Sequence, residues 1–166
     1  MLGDQEYCYA LAAMSNMSVL WKNSGRTLEE QLERRKKSLG VDTPEYLLVQ
    51  DVTKQIYEKD IKEPRTAIAD THASCLDAKG HTKKFTQKAI QSCPIVGIMV
   101  GEIAAARRKG ATVEQISSLL GDRYGELPRT YGGGLAKVAA KYSESSKPDA
   151  GTFDYLTCMI LGMAAQ

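Results

Sequence analysis

The chain repeats itself, and this constrains its fold more than any other property of its 166 residues. Displaced by 85 positions, Cys8 falls on Cys93, Met14 on Met99, Gly25 on Gly110 and Thr27 on Thr112. Glu29 then falls on Glu114, Gly40 on Gly125, Tyr46 on Tyr131 and Tyr57 on Tyr142. These are eight identities over the fifty ungapped positions 8–57 and 93–142, where unrelated sequences of ordinary composition would share about three. The kind of residue matters more than the count. Gly-Arg-Thr-Leu-Glu-Glu at 25–30 and Gly-Ala-Thr-Val-Glu-Gln at 110–115 place a glycine, then a threonine three residues before Glu30 or Gln115. That is helix, glycine stop, capping box and new helix, twice at one spacing.

The four cysteines follow the repeat. Cys75 and Cys158 correspond once a gap of two residues is allowed. No C-x-x-C or metal-ligand spacing is present, and four cysteines allow three pairings. The repeat selects Cys8–Cys75 with Cys93–Cys158, each tying the first helix of a copy to its last. Such bridges imply an oxidising compartment, the periplasm or the exterior. The alternative is a cytosolic helical regulatory protein with four buried free thiols. No basic start and no apolar core of a signal peptide follows Met1, which reads as the start of a mature form.

Period and punctuation place the helices. Residues 5–23 carry an apolar stripe through Tyr7, Leu11 and Met14. Thr27 opens a second helix that Gly40 closes, and Thr43-Pro44 opens a third running to about Lys59. A fourth spans Arg65 to Ala78. Residues 82–91 read as a linker with a short helix, and the second copy follows at 93–109, 112–124, about 128–143 and about 149–164. No strand-length alternation is present, so the expected class is all-α: two similar four-helix repeats in a pseudo-twofold arrangement, each with one disulfide, spanning residues 1–81 and 82–166. The copies are expected to pack together, because about 80 residues alone make a marginal core.

Charge narrows the function classes. The net charge is +2 overall, divided as −2 over residues 1–80 and +4 over 81–166, which is too mild to imply nucleic-acid or membrane partners. The longest apolar run, Pro94 to Val100, is far short of a membrane span. Candidate chemistry is thin. His72 and His81 are the only histidines. His72, beside Cys75, reads as a packing or surface residue rather than a partner for a nucleophile, since a bridged cysteine cannot attack. No catalytic residue, metal set or cofactor is expected. Arg34-Arg35-Lys36-Lys37 and Arg107-Arg108-Lys109 read as helix ends, where cations are favourable. The recurring tyrosines read as packing residues whose hydroxyls reach polar partners. The best binding candidate is the segment Gly125 to Gly134, where Gly132, Gly133 and Gly134 replace Leu47, Leu48 and Val49 of the first copy. Its glycines permit close backbone approach, and Arg129 and Tyr131 are typical interface anchors.

The order Cys8, Gly25-Arg-Thr27, Tyr57, Cys75, repeated as Cys93, Gly110-Ala-Thr112, Tyr142, Cys158, resembles a loose group of small periplasmic all-helical proteins of proteobacteria and their phages. The resemblance implies a role like that of members that look like inhibitors or immunity proteins neutralising wall-active toxic effectors, including those of type VI secretion, or like small periplasmic stress chaperones. No functional residue carries over, because the shared positions build the fold. The expectation is therefore a periplasmic or secreted protein-binding module with another protein as partner. A small periplasmic chaperone or ligand-binding protein is the competing reading. The tandem arrangement departs from the single-copy habit of the group: a duplicated chain can replace a dimer.

Overall fold

A computed structural model describes residues 3–124 and 150–164. Among these the protein is all-α, with seven α-helices: α1 Asp4–Asn23, α2 Leu28–Leu39, α3 Pro44–Glu58, α4 Pro64–Ala78, α5 Gln87–Arg108, α6 Val113–Tyr124 and α7 Ala150–Leu161. The expected punctuation is present. Thr27 and Glu30 form a reciprocal capping box at the start of α2. Thr112 and Gln115 form the same box before α6, at 2.9 and 3.2 Å. Thr43 caps α3 ahead of Pro44. Gly25 and Gly110 both adopt left-handed φ, +93° and +85°, where any other residue would be strained. Each lets the next amide reach back, Arg26 N–H to Trp21 O and Ala111 N–H to Ala106 O, both at 3.0 Å.

Both bridges form as expected, Cys8–Cys75 and Cys93–Cys158, and no described cysteine is free. Four free thiols are therefore not what these residues form, and disulfides of this kind belong to oxidising, non-cytosolic surroundings.

The linker reading at 82–91 needs correction. Only Thr82–Lys84 form a short 3-10 turn. The helix expected at Cys93 starts at Gln87, capped by the Thr86 hydroxyl on the Ala89 amide at 3.2 Å. Pro94 is thus interior, and an interior proline removes the bond that its amide would give to the carbonyl four residues back. That carbonyl belongs to Ile90. His72 Nδ1 lies 2.7 Å from it and supplies the missing donor, so the helix continues through the proline.

By length and apolarity the 22 residues of α5 could cross a bilayer, but 67% of the most apolar window is buried inside the fold. It is the central helix. It packs along α7 and α4, while α4 packs on α1. One apolar cluster gathers residues from both halves: Leu11, Leu76, Ile90, Met159 and both bridges. Leu76, Ile90 and Met159 are fully buried, worth about 1.5–3 kcal/mol each. Where α5 meets α7 the contact is backbone-close. A Cβ on Gly97 would sit 2.7 Å from Tyr155 and from Tyr9 and 2.8 Å from the Gly151 carbonyl. Residues near 84–86 and 162–164 pair antiparallel through Thr86 N–H to Gly162 O and Ala164 N–H to Lys84 O, 2.9 Å each.

Candidate functional site

The expected contact, Arg129, Tyr131, Gly132, Gly133 and Gly134, lies outside the described residues, as do Tyr142 and the expected helix near 128–143. The other sequence candidates fall into place around three features.

The first is a buried polar seam at the centre. His72 is fully buried. Its Nδ1–H donates to Ile90 O, so in the neutral ring Nε2 is the acceptor, and it takes the Tyr155 hydroxyl at 2.8 Å. The same hydroxyl lies 3.0 Å from Gln5 O. Tyr9 stacks on Tyr155, ring centres 4.6 Å apart. Burial, against the pull of the Ile90 carbonyl, lowers the His72 pKa to about 4, so the imidazole is neutral at neutral pH. Burial pushes the Tyr155 phenol far up, helped by Tyr9 and Glu6. His72 therefore has a packing role, as expected, but one that engages both ring nitrogens. A sequence signal was available: His72 and Tyr155 each lie three residues before the second cysteine of a bridge.

A second seam joins α1, α5 and α6. The Asn16 amide donates to Tyr124 Oη at 3.1 Å, and the Tyr124 hydroxyl donates to Glu102 Oε1 at 2.7 Å. Arg123 lies 3.3 Å from the other carboxylate oxygen. Burial first, then the Glu102 charge, drives the phenols of Tyr124 and Tyr9 far above their ordinary value. Both phenols are held protonated, and the Tyr124 hydroxyl is the donor to Glu102.

The third feature is concave. α3 and α4 both lean on α1 but scarcely meet each other, leaving a slot of about 750 Å³ beside the Cys8–Cys75 bridge. It is open because α4 turns small side chains toward it, Ala67, Thr71 and Ser74 among them. The floor holds Leu11 and Ile56, both buried, and the rim carries Asp51, Asp70, Lys59 and Lys79. The volume is that of a binding site, and the sequence did not reveal it, because an interhelical gap is a property of packing.

The remaining candidates are structural or charged. His81 Nε2 lies 2.8 Å from the Asp4 carboxylate, whose pKa this contact holds down. Arg107 donates to Ala111 O at 3.1 Å, closing its own helix end. Lys36 pairs with Glu33. Arg34 and Arg35 instead lie over Trp21. Tyr57 has the polar partners expected, donating to Arg26 O and accepting from Gln31 Nε2. The buried Tyr46 hydroxyl departs from expectation, with no hydrogen-bond partner among the described residues. No group of three or more metal-binding side chains occurs among the described residues. No protein-family model, curated protein or solved structure matches the chain.

Proposed function

We propose that the protein is a protein-binding module of the periplasm or the exterior, built from two fused copies of one four-helix unit, and that it acts as an immunity-type inhibitor holding a toxic effector enzyme. The observation that carries the binding reading is the slot between α3 and α4. Its walls are pinned to α1, on one side by the Cys8–Cys75 bridge. A cleft held rigid in this way loses little freedom on binding, which favours affinity. Its mixed rim calls for one kind of occupant: a helix or loop that sets an apolar residue on Leu11 and Ile56 and carries both a basic group toward Asp51 or Asp70 and an acidic group toward Lys59 or Lys79.

The fused-copy reading draws support from reciprocity. His72 of the first half bonds Ile90 O of the second, while the Tyr155 hydroxyl of the second reaches Gln5 O of the first. Gln5 corresponds to Ile90 at the displacement of 85, and His72 to Tyr155 once the gap of two residues is allowed; the His72 and Tyr155 side chains also meet. A contact in which i meets j and j meets i is the mark of a twofold interface. Matched pairs elsewhere behave alike: Val19 and Ala67 share one small cluster, Ala104 and Ala150 another.

The test is affinity for a partner captured from the native host's envelope and then purified. Ser74→Trp fills the slot from its α4 wall, and Lys88→Trp places the same ring on an exposed face of α5 away from it. A loss of about tenfold or more in Ser74→Trp alone supports the reading. Equal affinity for both variants and the parent rejects the slot. Loss on Arg129→Ala with Tyr131→Ala would move the contact to the 125–134 segment.

A further inference from the structure

The most unusual charge arrangement lies away from the slot, where α1 turns into α2. Trp21, the single tryptophan of the chain, is ringed by three guanidinium groups. Arg26, Arg34 and Arg35 lie 4.9, 5.1 and 4.8 Å from its ring centre. All three are within the range where a cation is drawn to an aromatic face. Among the described residues none of the three is in an ion pair. Arg35 Nε and Nη2 are shielded from solvent and have no hydrogen-bond partner. Burial, and then the charge of Arg34, hold the Arg35 guanidinium below its ordinary range. Buried donors of this kind are ordinarily paired.

The second half serves as an internal control. Under the same displacement Trp21, Arg26, Arg34 and Arg35 become Ala106, Ala111, Leu119 and Leu120. Leu120 is buried, and Ala106 and Ala111 pack against its cluster. The turn between the two helices has the same left-handed glycine and the same backbone bonds in both halves. In the second half the junction therefore closes with alkyl groups and a single arginine, Arg107 on the Ala111 carbonyl, and folding does not call for three arginines on a tryptophan there.

We propose that Trp21, Arg26, Arg34 and Arg35 form an oxyanion-binding site that takes the carboxylates of an acidic segment on the partner protein. Guanidinium forks match carboxylates in two-point geometry. Tryptophan and arginine are the residue types that dominate binding energy at protein interfaces. Carboxylates docked on Arg34 and Arg26 would relieve the repulsion among three like charges, and a turn of the Arg35 side chain would bring its stranded donors to them. The proposal rests on the protein-binding reading and adds the chemistry of the partner.

Trp21 is its own reporter, because no other indole contributes to the emission. An oligoglutamate peptide is titrated at low ionic strength while Trp21 fluorescence is followed, with inorganic phosphate and oligothymidylate as separate arms. The expected result is a saturable change with oligoglutamate, weakened about tenfold or more by Arg26→Gln with Arg34→Gln and lost at about 0.5 M salt. Lys83→Gln with Lys84→Gln, remote from Trp21, leaves it unchanged. Arg35→Lys keeps the charge but loses the fork, and also weakens binding. Circular dichroism and urea midpoints establish that each variant is folded, and Arg34→Gln alone, at an exposed position, serves if the double variant is not. Three outcomes overturn the proposal: no saturable response, a response equal in the arginine variants, or tighter binding of phosphate or oligothymidylate than of oligoglutamate. A captured partner that binds the arginine variants at full affinity overturns this site while leaving the protein-binding reading intact.

Discussion

Acid should weaken this fold at its buried histidine. His72 is neutral and buried, with its pKa lowered from 6.5 to about 4. The unfolded chain takes up a proton at this site as pH falls through 6.5, while the folded chain refuses it until about pH 4. Stability from this group is therefore complete above pH 6.5, declines between 6.5 and 4, and levels off below. Each pH unit in that interval is worth about 1.4 kcal/mol, so the whole interval carries about 3 kcal/mol. The hydrogen bonds themselves could accommodate the charge, since a protonated ring would donate to both Ile90 O and Tyr155 Oη and leave the phenol free for Gln5 O. Burial is what opposes it. The measurement is urea unfolding of the parent and of His72→Gln under non-reducing conditions, from about pH 7 down to about pH 4. Near pH 7 the variant should be weaker by about 1–3 kcal/mol, because the carbonyl stranded by Pro94 loses its donor. That gap should close as pH falls, leaving the variant at least as stable as the parent near the lower limit. Carboxylates such as Asp4 and Asp60, whose pKa values are lowered by His81 and Lys22 respectively, lose stability in both proteins and cancel in the difference. A gap that stays constant across the range would refute the reasoning.

Two further outcomes test the packing. Removing either bridge, as Cys8→Ala with Cys75→Ala or Cys93→Ala with Cys158→Ala, should lower stability by similar amounts. The sequence separations are 67 and 65, which the chain-entropy relation converts to about 4 kcal/mol each at most. Urea midpoints decide, and a loss under about 1 kcal/mol for one pair would mean that its loop stays ordered when unfolded. Gly97→Ala should destabilise by about 1–3 kcal/mol, since its Cβ would meet Tyr155, Tyr9 and the Gly151 carbonyl within 2.8 Å. Gly101→Ala, one turn on and with only Gly151 as near as 4.0 Å, should be neutral or stabilising by up to about 1 kcal/mol. Equal effects of the two substitutions would contradict the close α5–α7 approach.

Much of the fold was legible from local chemistry. Thr27, Thr43 and Thr112 announce helix starts, and Gly25 and Gly110 announce stops, because capping and left-handed turns involve neighbours a few residues apart. The bridge pattern followed from the repeat, which is a property of order along the chain. The start of α5 was not legible: Pro94 breaks the local rule, and the donor that compensates for it, His72, comes from another helix. The slot, the ring of arginines on Trp21 and the meeting of His72 with Tyr155 escaped for the same reason. Arg34 and Arg35 read as ordinary helix-end cations until α1 brings Trp21 beneath them.

Helix type, most helix limits and covalent pairing were thus written in spacing, since each depends on contacts that recur at short or regular separations. Which buried groups share a proton, which faces leave room for a guest and which charges go unanswered arose only when distant helices were packed, because those properties depend on what each side chain meets across the core.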